Sequence, residues 1–406
     1  MQTGWRVGSL FNIPLFIDPS WFFVLAFIAL TNGLAWYETY PSWGILPTWG
    51  AGLAMALLLF GSVLLHELGH SLVARSQGIK VNSITLFLFG GMASIDQESK
   101  TPGQAFQVAI AGPLVSLTLF GLLSLLATIL PTDNIVGLLA ADLAKINLIL
   151  TLFNLIPGLP LDGGQIFKAA VWKATGDRFK AVHWAARGGQ ILGWLAILLG
   201  GSIVLLAGNY SGLWIGLLGW FAVRNASAYN RVTDWQEALV QLKASDALSR
   251  EFRVIDANMT LRQFADEYLL GADHPPVYFA ASEGRYRGLV SADDLRLVER
   301  SQWEVQTLQQ IVHPLTEIPT IYEKTPLTEV INRMEEQQLR RITVLTPADA
   351  VAGVIDPGDI VQAIAHKLNL QISAEVIKRI KEEGSYPPGL QLPALAKLAA
   401  NSTDAS

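Results

Sequence analysis

The sequence predicts a multi-pass α-helical membrane protein, with six transmembrane helices and a re-entrant β-hairpin, followed by a soluble α/β tandem domain. Three observations lead to this fold class. Hydrophobic residues make up 51% of the 406 residues and charged residues only 16%, whereas a soluble protein usually carries about 25% charged residues. Only 20 of the 63 Asp, Glu, Lys and Arg residues precede residue 231. In the second half, one pattern occurs twice, with a period of about 65 residues.

Six apolar segments in the first half have about the length needed to cross a membrane, which takes roughly 20 helical residues. They are 19–36, 50–72, 105–130, 135–156, 190–207 and 212–228. The segment 81–95 is too short to span and is rich in β-branched and aromatic residues. Gly90 and Gly91 interrupt it, which predicts a hairpin at membrane depth. Irregular backbone is tolerated there only if it is buried in protein or lines a wet cavity.

Basic residues predict the orientation, because loops rich in Lys and Arg stay in the cytoplasm. Such residues follow the second, fourth and sixth segments, whereas loops 37–49, 131–134 and 208–211 contain none. Six spans with the N-terminus, the soluble half and the C-terminus in the cytoplasm place every loop that contains Lys or Arg on the cytoplasmic side. The first apolar segment is expected to be retained as a span and not removed as a signal peptide. A prokaryotic plasma membrane and a thylakoid or chloroplast membrane agree equally well with this pattern.

The composition restricts the possible cofactors and partners. The chain contains no cysteine, so disulfides are excluded and any metal ion must be held by His, Asp or Glu. The net charge is −5 and no basic block stands out, so nucleic acid is not an expected partner. The lipid bilayer is the partner that the apolar half requires.

The second apolar segment contains the run His66-Glu67-Leu68-Gly69-His70. Residues four positions apart share one face of a helix, so both rings can reach one metal ion. Glu67 is then placed to take a proton from a metal-bound water. The alternative is a pair of buried histidines that bond to backbone carbonyls. Ionisable groups inside a membrane are expensive and usually functional, which favours the metal site.

A catalytic zinc needs a third protein ligand and an open position for water. The remaining histidines lie in polar or soluble segments of the chain; they are His183, His274, His313 and His366. Asp162 is the better candidate, because it is expected to end the fourth span on its cytoplasmic side. His66 and His70 lie towards the same side of the second span, so the three side chains are predicted to have similar depth.

Three motifs in this order resemble the site-2 protease family of intramembrane zinc metalloproteases. They are HELGH at 66–70, FGG at 89–91 and NLIPGLPLDGG at 154–164, and the likeness covers residues 1–230. The resemblance implies one zinc ion per chain and a transmembrane protein as substrate, for example a membrane-anchored regulator. It also implies a zinc metalloendopeptidase that cuts in or near the transmembrane segment of that substrate.

The same resemblance assigns roles to individual residues. It implies that His66, His70 and Asp162 hold the zinc and that Glu67 is the general base and acid. For Asn154, it implies contact with the substrate or with the developing oxyanion. The alternative for Asn154 is an interhelical hydrogen bond.

Gly90 and Gly91 match the re-entrant loop of that family, whose edge is thought to pair with an unwound substrate. A transmembrane helix satisfies its own backbone hydrogen bonds, so it has to unwind locally before a strand edge can bind it. The alternative for the two glycines is an ordinary tight turn.

The repeat in the second half covers 253–298 and 319–365 and resembles a tandem pair of cystathionine-β-synthase (CBS) domains. That family implies a regulatory module, a possible homodimer and possible binding of an adenine nucleotide. Ser291 and Asp294 match the positions that contact the ribose. The second copy retains Asp359 but has Asp356 where Ser or Thr is usual, and an added negative charge near phosphates is unfavourable. Helix capping by Ser291 and Asp356 is the alternative interpretation.

Five regions are therefore predicted. They are the six-helix protease domain (1–230), a linker (231–242), CBS domain 1 (243–304), CBS domain 2 (305–370) and a C-terminal tail without assigned chemistry (371–406). Two other functions are alternatives to the protease. One is a CBS-regulated ion transporter that binds its ion at the His/Asp site, although such a site needs no carboxylate aimed at water. The other is an inactive relative, which the intact ligand set disfavours.

Overall fold

The computed structural model describes residues 4–88, 90–95, 98–131, 134–269, 277–386 and 392–403. It divides into two compact units, Met1–Thr233 and Asp234–Ser406.

Seven α-helices occur in the described residues of the first unit, the last of which continues into the second. They are α1 (Ser20–Thr39), α2 (Ile45–Ser76), α3 (Pro102–Ile129), α4 (Ile135–Asn154), α5 (Asp162–Thr175), α6 (Arg178–Ala207) and α7 (Gly212–Gln241). Five of them, α1 to α4 and α6, are long and apolar enough to cross a membrane. The prediction of a multi-pass helical membrane protein is confirmed.

The sixth predicted span stays a prediction. Segment 212–228 forms the first part of α7, but α7 is not among those five helices within the described residues. Arg224 and Asn225 interrupt its apolar run, and polar side chains in a membrane-spanning helix are costly.

The helix boundaries follow from local chemistry. Pro102 stands in the first turn of α3, where its missing N–H costs nothing, and the Thr101 side chain accepts a hydrogen bond from the Gln104 N–H. Asp177 caps α6 in the same way through the Lys180 N–H. Gly176 ends α5 in the left-handed conformation that glycine adopts without strain.

A four-stranded sheet lies beside α2. Its strands are β1 (Trp5–Leu10), β2 (Ile13–Ile17), β3 (Val81–Phe87) and β4 (Gly90–Ile95), in the order β1-β2-β3-β4. β2 and β3 are parallel and the other pairs are antiparallel. Buried Ile13 and Ile84 of the sheet pack with Leu68 of α2. The predicted hairpin at 81–95 is thus formed by β3 and β4, whereas its depth in a membrane stays a prediction.

The connection between α4 and α5 differs from the expectation that Asp162 ends the fourth span. Helix α4 ends at Asn154, and Asp162 is instead the first residue of the separate helix α5. Pro157 and Pro160 lie between them, and proline cannot donate the backbone hydrogen bond that would continue a helix. The backbone N–H of Leu159 donates to the Ala185 carbonyl of α6 at 3.2 Å, which ties this connection to its neighbour.

The second unit repeats one order of elements. Its helices are α8 (Leu261–Phe264), α9 (Leu327–Glu336), α10 (Pro357–Lys367), α11 (Ala374–Glu383) and α12 (Leu392–Thr403). Its strands are β5 (Phe252–Asp256), β6 (Val277–Ser282), β7 (Arg285–Val290), β8 (His313–Pro314), β9 (Thr320–Tyr322), β10 (Ile342–Leu345) and β11 (Val351–Ile355). In each half a strand pairs in parallel with the next strand, which then pairs antiparallel with the third.

The C-terminal segment, expected to be a tail, forms helices in its described part. Ile380 of α11 and Leu392 and Ala396 of α12 are buried in the core that contains Val330 and Ile360. The Pro387-Pro388-Gly389 run lies outside the described residues. Apolar residues on one face of each short helix account for this packing, because that face must be covered.

Candidate metal centre

Helix α2 presents two histidines on one buried face. Both lie in an apolar helix of 32 residues. His66 and His70 are only 4% and 8% exposed, so two polar rings are buried there. Gly69, between them, lets α3 approach closely, since a Cβ there would lie 3.1 Å from the Ala111 carbonyl oxygen. The sequence thus places both rings at the contact between α2 and α3.

Asp162 completes a cluster of three possible metal ligands. Its Oδ2 lies 3.0 Å from Nε2 of His66 and 3.3 Å from Nε2 of His70, and the two Nε2 atoms are 3.2 Å apart. Donor atoms about 2.0–2.1 Å from a tetrahedral zinc lie about 3.3 Å from each other. The three atoms therefore have the spacing of one face of a zinc tetrahedron, and His66, His70 and Asp162 form a possible metal site.

The other ring nitrogens orient the histidines. Nδ1 of His70 lies 2.7 Å from the Val108 carbonyl oxygen, and Nδ1 of His66 lies 2.9 Å from Oγ of Ser116, both on α3. A carbonyl oxygen only accepts, so neutral His70 carries its proton on Nδ1 and presents a lone pair at Nε2. That lone pair faces a carboxylate and a second ring nitrogen. Such a set of acceptors fits a cation between them, and partners of this kind fix the rings of metal-binding histidines.

Gly112 of α3 leaves the space that the two rings need. A Cβ at this position would lie 2.2 Å from Nε2 of His70 and 2.6 Å from Nε2 of His66. Gly112 was expected only as a small residue that allows close helix packing, and neither it nor Ser116 was predicted to belong to the site. Both lie on another helix, and the sequence signal for each is a small residue in a long apolar segment, which many packing positions share.

A second pair of missed polar residues links α2 with α4. Asn147 is completely buried, and its Nδ2 donates to Oγ of Ser62 at 3.0 Å. Ser62 precedes His66 by one helical turn on the same face. Polar residues inside apolar spans were the available signal, but the contact itself depends on tertiary packing.

Strand β4 lies against Glu67. A Cβ at Gly91 would lie 2.4 Å from Cγ of Glu67, so only glycine allows this approach. Among the described residues β4 is the last strand of this sheet, and an edge strand can pair with a further strand.

Gly90 and Asn154, the two remaining predicted residues of the protease site, lie at the ends of a strand and a helix. Gly90 begins β4 with φ +131°, a backbone conformation that favours glycine. Phe89 of the FGG motif lies outside the described residues. Asn154 is half-buried and is the last residue of α4, eight positions before Asp162.

In the first repeat of the second unit, Asp294 has protein partners. Its Oδ2 accepts from the Ser291 backbone N–H at 3.2 Å and lies 2.9 Å from Nε2 of His313. Oγ of Ser291 accepts from the Asp293 N–H at 3.3 Å. Ser291 and Asp294 both match the positions that contact the ribose in the CBS family. They lie together in one turn, as a shared binding site requires.

In the second repeat, Asp356 caps α10 and Asp359 is buried. Oδ1 of Asp359 lies 2.8 Å from Nζ of Lys381 on α11, and Lys381 also lies 3.2 Å from Glu251. Burial, together with Asp356, raises the pKa of Asp359 to about 6, although Lys381 opposes this shift. Lys381 was not predicted as a partner of Asp359, because nothing in the sequence brings α11 to the start of α10.

Two family models match the chain. The model of Peptidase family M50 matches residues 54–144 and 132–196, and the model of the CBS domain matches residues 309–366. The two ranges matched by the Peptidase family M50 model together contain His66, Glu67, His70 and Asp162.

Three proteins illustrate the similarity. A Synechocystis protein, sll0528, whose name assigns it to the zinc metalloproteases, is 40% identical over 369 residues, which cover 90% of this chain and 96% of the relative. Zinc metalloprotease MJ0392 of Methanocaldococcus jannaschii is 28% identical over 90% of this chain and 97% of its own length. The solved site-2 protease from Methanocaldococcus jannaschii aligns with 29% identity and a TM-score of 0.40, over 56% of this chain and 95% of its own.

Proposed function

Because the chain belongs to peptidase family M50, the site-2 protease family of zinc metalloproteases, and carries a CBS domain, we propose that it is an intramembrane endopeptidase. It hydrolyses a peptide bond in or near the transmembrane segment of a membrane-protein substrate. The observation that supports this most is the convergence of His66, His70 and Asp162 next to Glu67 on helix α2.

The zinc site would use Nε2 of His66, Nε2 of His70 and a carboxylate oxygen of Asp162, with a fourth position open. When bound there, zinc supplies a Lewis acid that lowers the pKa of water to about 7 and polarises a carbonyl. Glu67 takes the proton of the attacking water and delivers it to the leaving amine. Strand β4 packs against Glu67 at Gly91, which restricts the space open to this side chain.

Substrate binding is assigned to β4 and to Asn154. An unwound substrate segment adds to the edge of β4, beginning at Gly90 and Gly91, and its backbone groups exchange helical hydrogen bonds for bonds to this strand. The side-chain amide of Asn154 donates to the carbonyl oxygen of the scissile bond, where negative charge develops.

Zinc removal tests this function. A chelator that strips zinc from the purified full chain should stop cleavage of a transmembrane peptide, and about one equivalent of zinc should restore it. Magnesium should not restore it, because imidazole ligands suit zinc. Peptide fragments by mass spectrometry and metal content are measured together.

Two outcomes would contradict the protease. Cleavage that persists in metal-free chain would remove the metal from the mechanism. Zinc uptake into proteoliposomes without any cleavage would instead support the ion transporter.

We propose that the second unit contains two CBS domains, CBS domain 1 (243–304) and CBS domain 2 (305–370). The pair senses an adenine nucleotide or mediates a homodimer. The repeated strand order supports the pair. Ser291 and Asp294 are proposed to bind the ribose, in exchange for the contact of Asp294 with His313. Asp359 would first have to release Lys381. Both termini and this unit are proposed to be cytoplasmic.

A melting-temperature assay of the full chain tests the nucleotide site. Saturating AMP, ADP or ATP should raise the melting temperature, because a ligand that binds only the folded state stabilises it; at 100 times Kd this is about 2.7 kcal/mol. Asp294→Asn should abolish the shift. Asp293→Asn is the matched control, since its exposed carboxylate pairs with Arg296. A shift that survives in Asp294→Asn, or no shift in wild type, would contradict the assignment.

A further inference from the structure

Two nearly buried cations of the first unit have no part in the proposed chemistry. The side chains of Lys168 and Arg178 are 11% and 15% exposed. Both contact one carboxylate, because Oε2 of Glu98 lies 3.5 Å from Nζ of Lys168 and 2.7 Å from a guanidinium nitrogen of Arg178. A buried cation that loses its partner is costly. Glu98 therefore compensates charges that the fold has already buried.

The ion pairs of Glu98 with Lys168 and Arg178, called the bridge below, connect distant parts of the chain. Glu98 follows the end of β4 by three positions, so its Cα lies within about 11 Å of the Ile95 Cα. β4 packs against Glu67, since a Cβ at Gly91 would lie 2.4 Å from Cγ of Glu67. Glu98 is thus tethered to the strand that orients the general base.

The two cations of the bridge lie on α5 and at the start of α6. Asp162 is the first residue of α5 and Lys168 lies in the same helix, while Arg178 is the first residue of α6. A single carboxylate consequently connects the strand beside Glu67 with the helix that carries Asp162. Within the described residues this bridge is independent of the contacts that the histidines make with α3.

The ion pairs persist at neutral pH. Partial burial opposes ionisation of Glu98, but the charges of Lys168 and Arg178 and their hydrogen bonds hold its pKa below the ordinary value. The carboxylate is therefore ionised throughout the neutral range. Half of the Glu98 side chain is exposed (52%), whereas its two partners are not.

We propose that Glu98 is a positioning residue, which clasps the β3–β4 hairpin to α5 and α6 and so keeps β4 aligned with Glu67 and Asp162. The effect on catalysis rests on the proposed protease function, whereas the effect on the hairpin does not. Without the clasp, β4 moves away from Glu67 more often, and the site is assembled for a smaller fraction of the time.

Hydrogen exchange of the purified full chain tests the clasp. In Glu98→Gln, amides of segment 90–95 should exchange at least about tenfold faster than in wild type, because local opening becomes easier. Amides in the middle of α3 and α6 should keep their rates. The matched control is Asp142→Asn, which breaks an exposed ion pair with Lys145 inside helix α4.

Rescue and kinetics separate positioning from general stability. The double exchange Glu98→Arg with Arg178→Glu keeps two cations and one carboxylate and should restore slow exchange at 90–95. For peptide cleavage, kcat should fall about tenfold or more in Glu98→Gln with a nearly unchanged KM.

Unchanged exchange at 90–95 in Glu98→Gln would overturn the proposal, and so would an equal increase throughout the helices. If wild type cleaves no peptide, the proposed function fails, while the exchange rates still decide whether Glu98 clasps the hairpin.

Discussion

Replacing Glu67 by glutamine is expected to reduce peptide cleavage by at least about a thousandfold while one zinc per chain remains bound. Glutamine has the size of glutamate but cannot accept the proton of the attacking water, and positioned acid–base groups contribute about 10²–10⁴-fold to rate. The three metal ligands stay in place, because Glu67 is not one of the clustered donors. Cleavage of a transmembrane peptide and metal content are measured on the same preparation.

The exposed Glu38→Gln, at the end of α1, is the matched control for charge loss and should behave as wild type. Two results would refute the assigned role. Near-normal cleavage by Glu67→Gln would mean that another group moves the proton, and loss of zinc would make Glu67 a structural part of the metal site.

Gly112→Ala should abolish zinc binding and, with it, cleavage. The added Cβ would lie 2.2 Å from Nε2 of His70 and 2.6 Å from Nε2 of His66, far closer than atoms can approach. The rings must therefore turn away from the positions in which both Nε2 atoms face Asp162. The bound zinc should fall from one per chain to almost none, as read by metal analysis after dialysis.

The control for this substitution is Gly121→Ala on the same helix. A Cβ at Gly121 has no atom within 4 Å, and alanine favours a helix over glycine by about 1 kcal/mol. Zinc content should therefore stay at one per chain in this variant. If Gly112→Ala retained zinc with wild-type affinity, the close contact of α3 with both rings would be wrong.

The sequence predicts this fold well where composition alone determines it. Apolar length identified the five helices, because a span must be about 20 residues long whatever surrounds it. The spacing of His66 and His70 follows from helix geometry. Asp162 lies beside the two histidines, as expected, even though it begins α5 and does not end the preceding span; the depth of the three residues in a membrane stays a prediction.

What the sequence did not reveal depends on contacts between distant segments. Ser116 and Gly112 support the histidines from α3, and Lys381 reaches Asp359 from a segment that was expected to be a tail. Each is an ordinary residue for its own helix. Their roles follow from which helices pack together, and periodicity within one segment carries no information about that.

The break between α4 and α5 has a thermodynamic consequence. Asp162 opens a helix of its own, held to α6 through the Leu159–Ala185 hydrogen bond, while both histidines belong to α2. Zinc at this centre therefore joins two pieces of chain that no continuous helix connects, and part of its binding free energy becomes folding free energy. By mass action, the stability of the membrane unit rises with the concentration of free zinc. If zinc occupies this centre as proposed, we expect its supply to raise the stability of the membrane unit as well as to support cleavage.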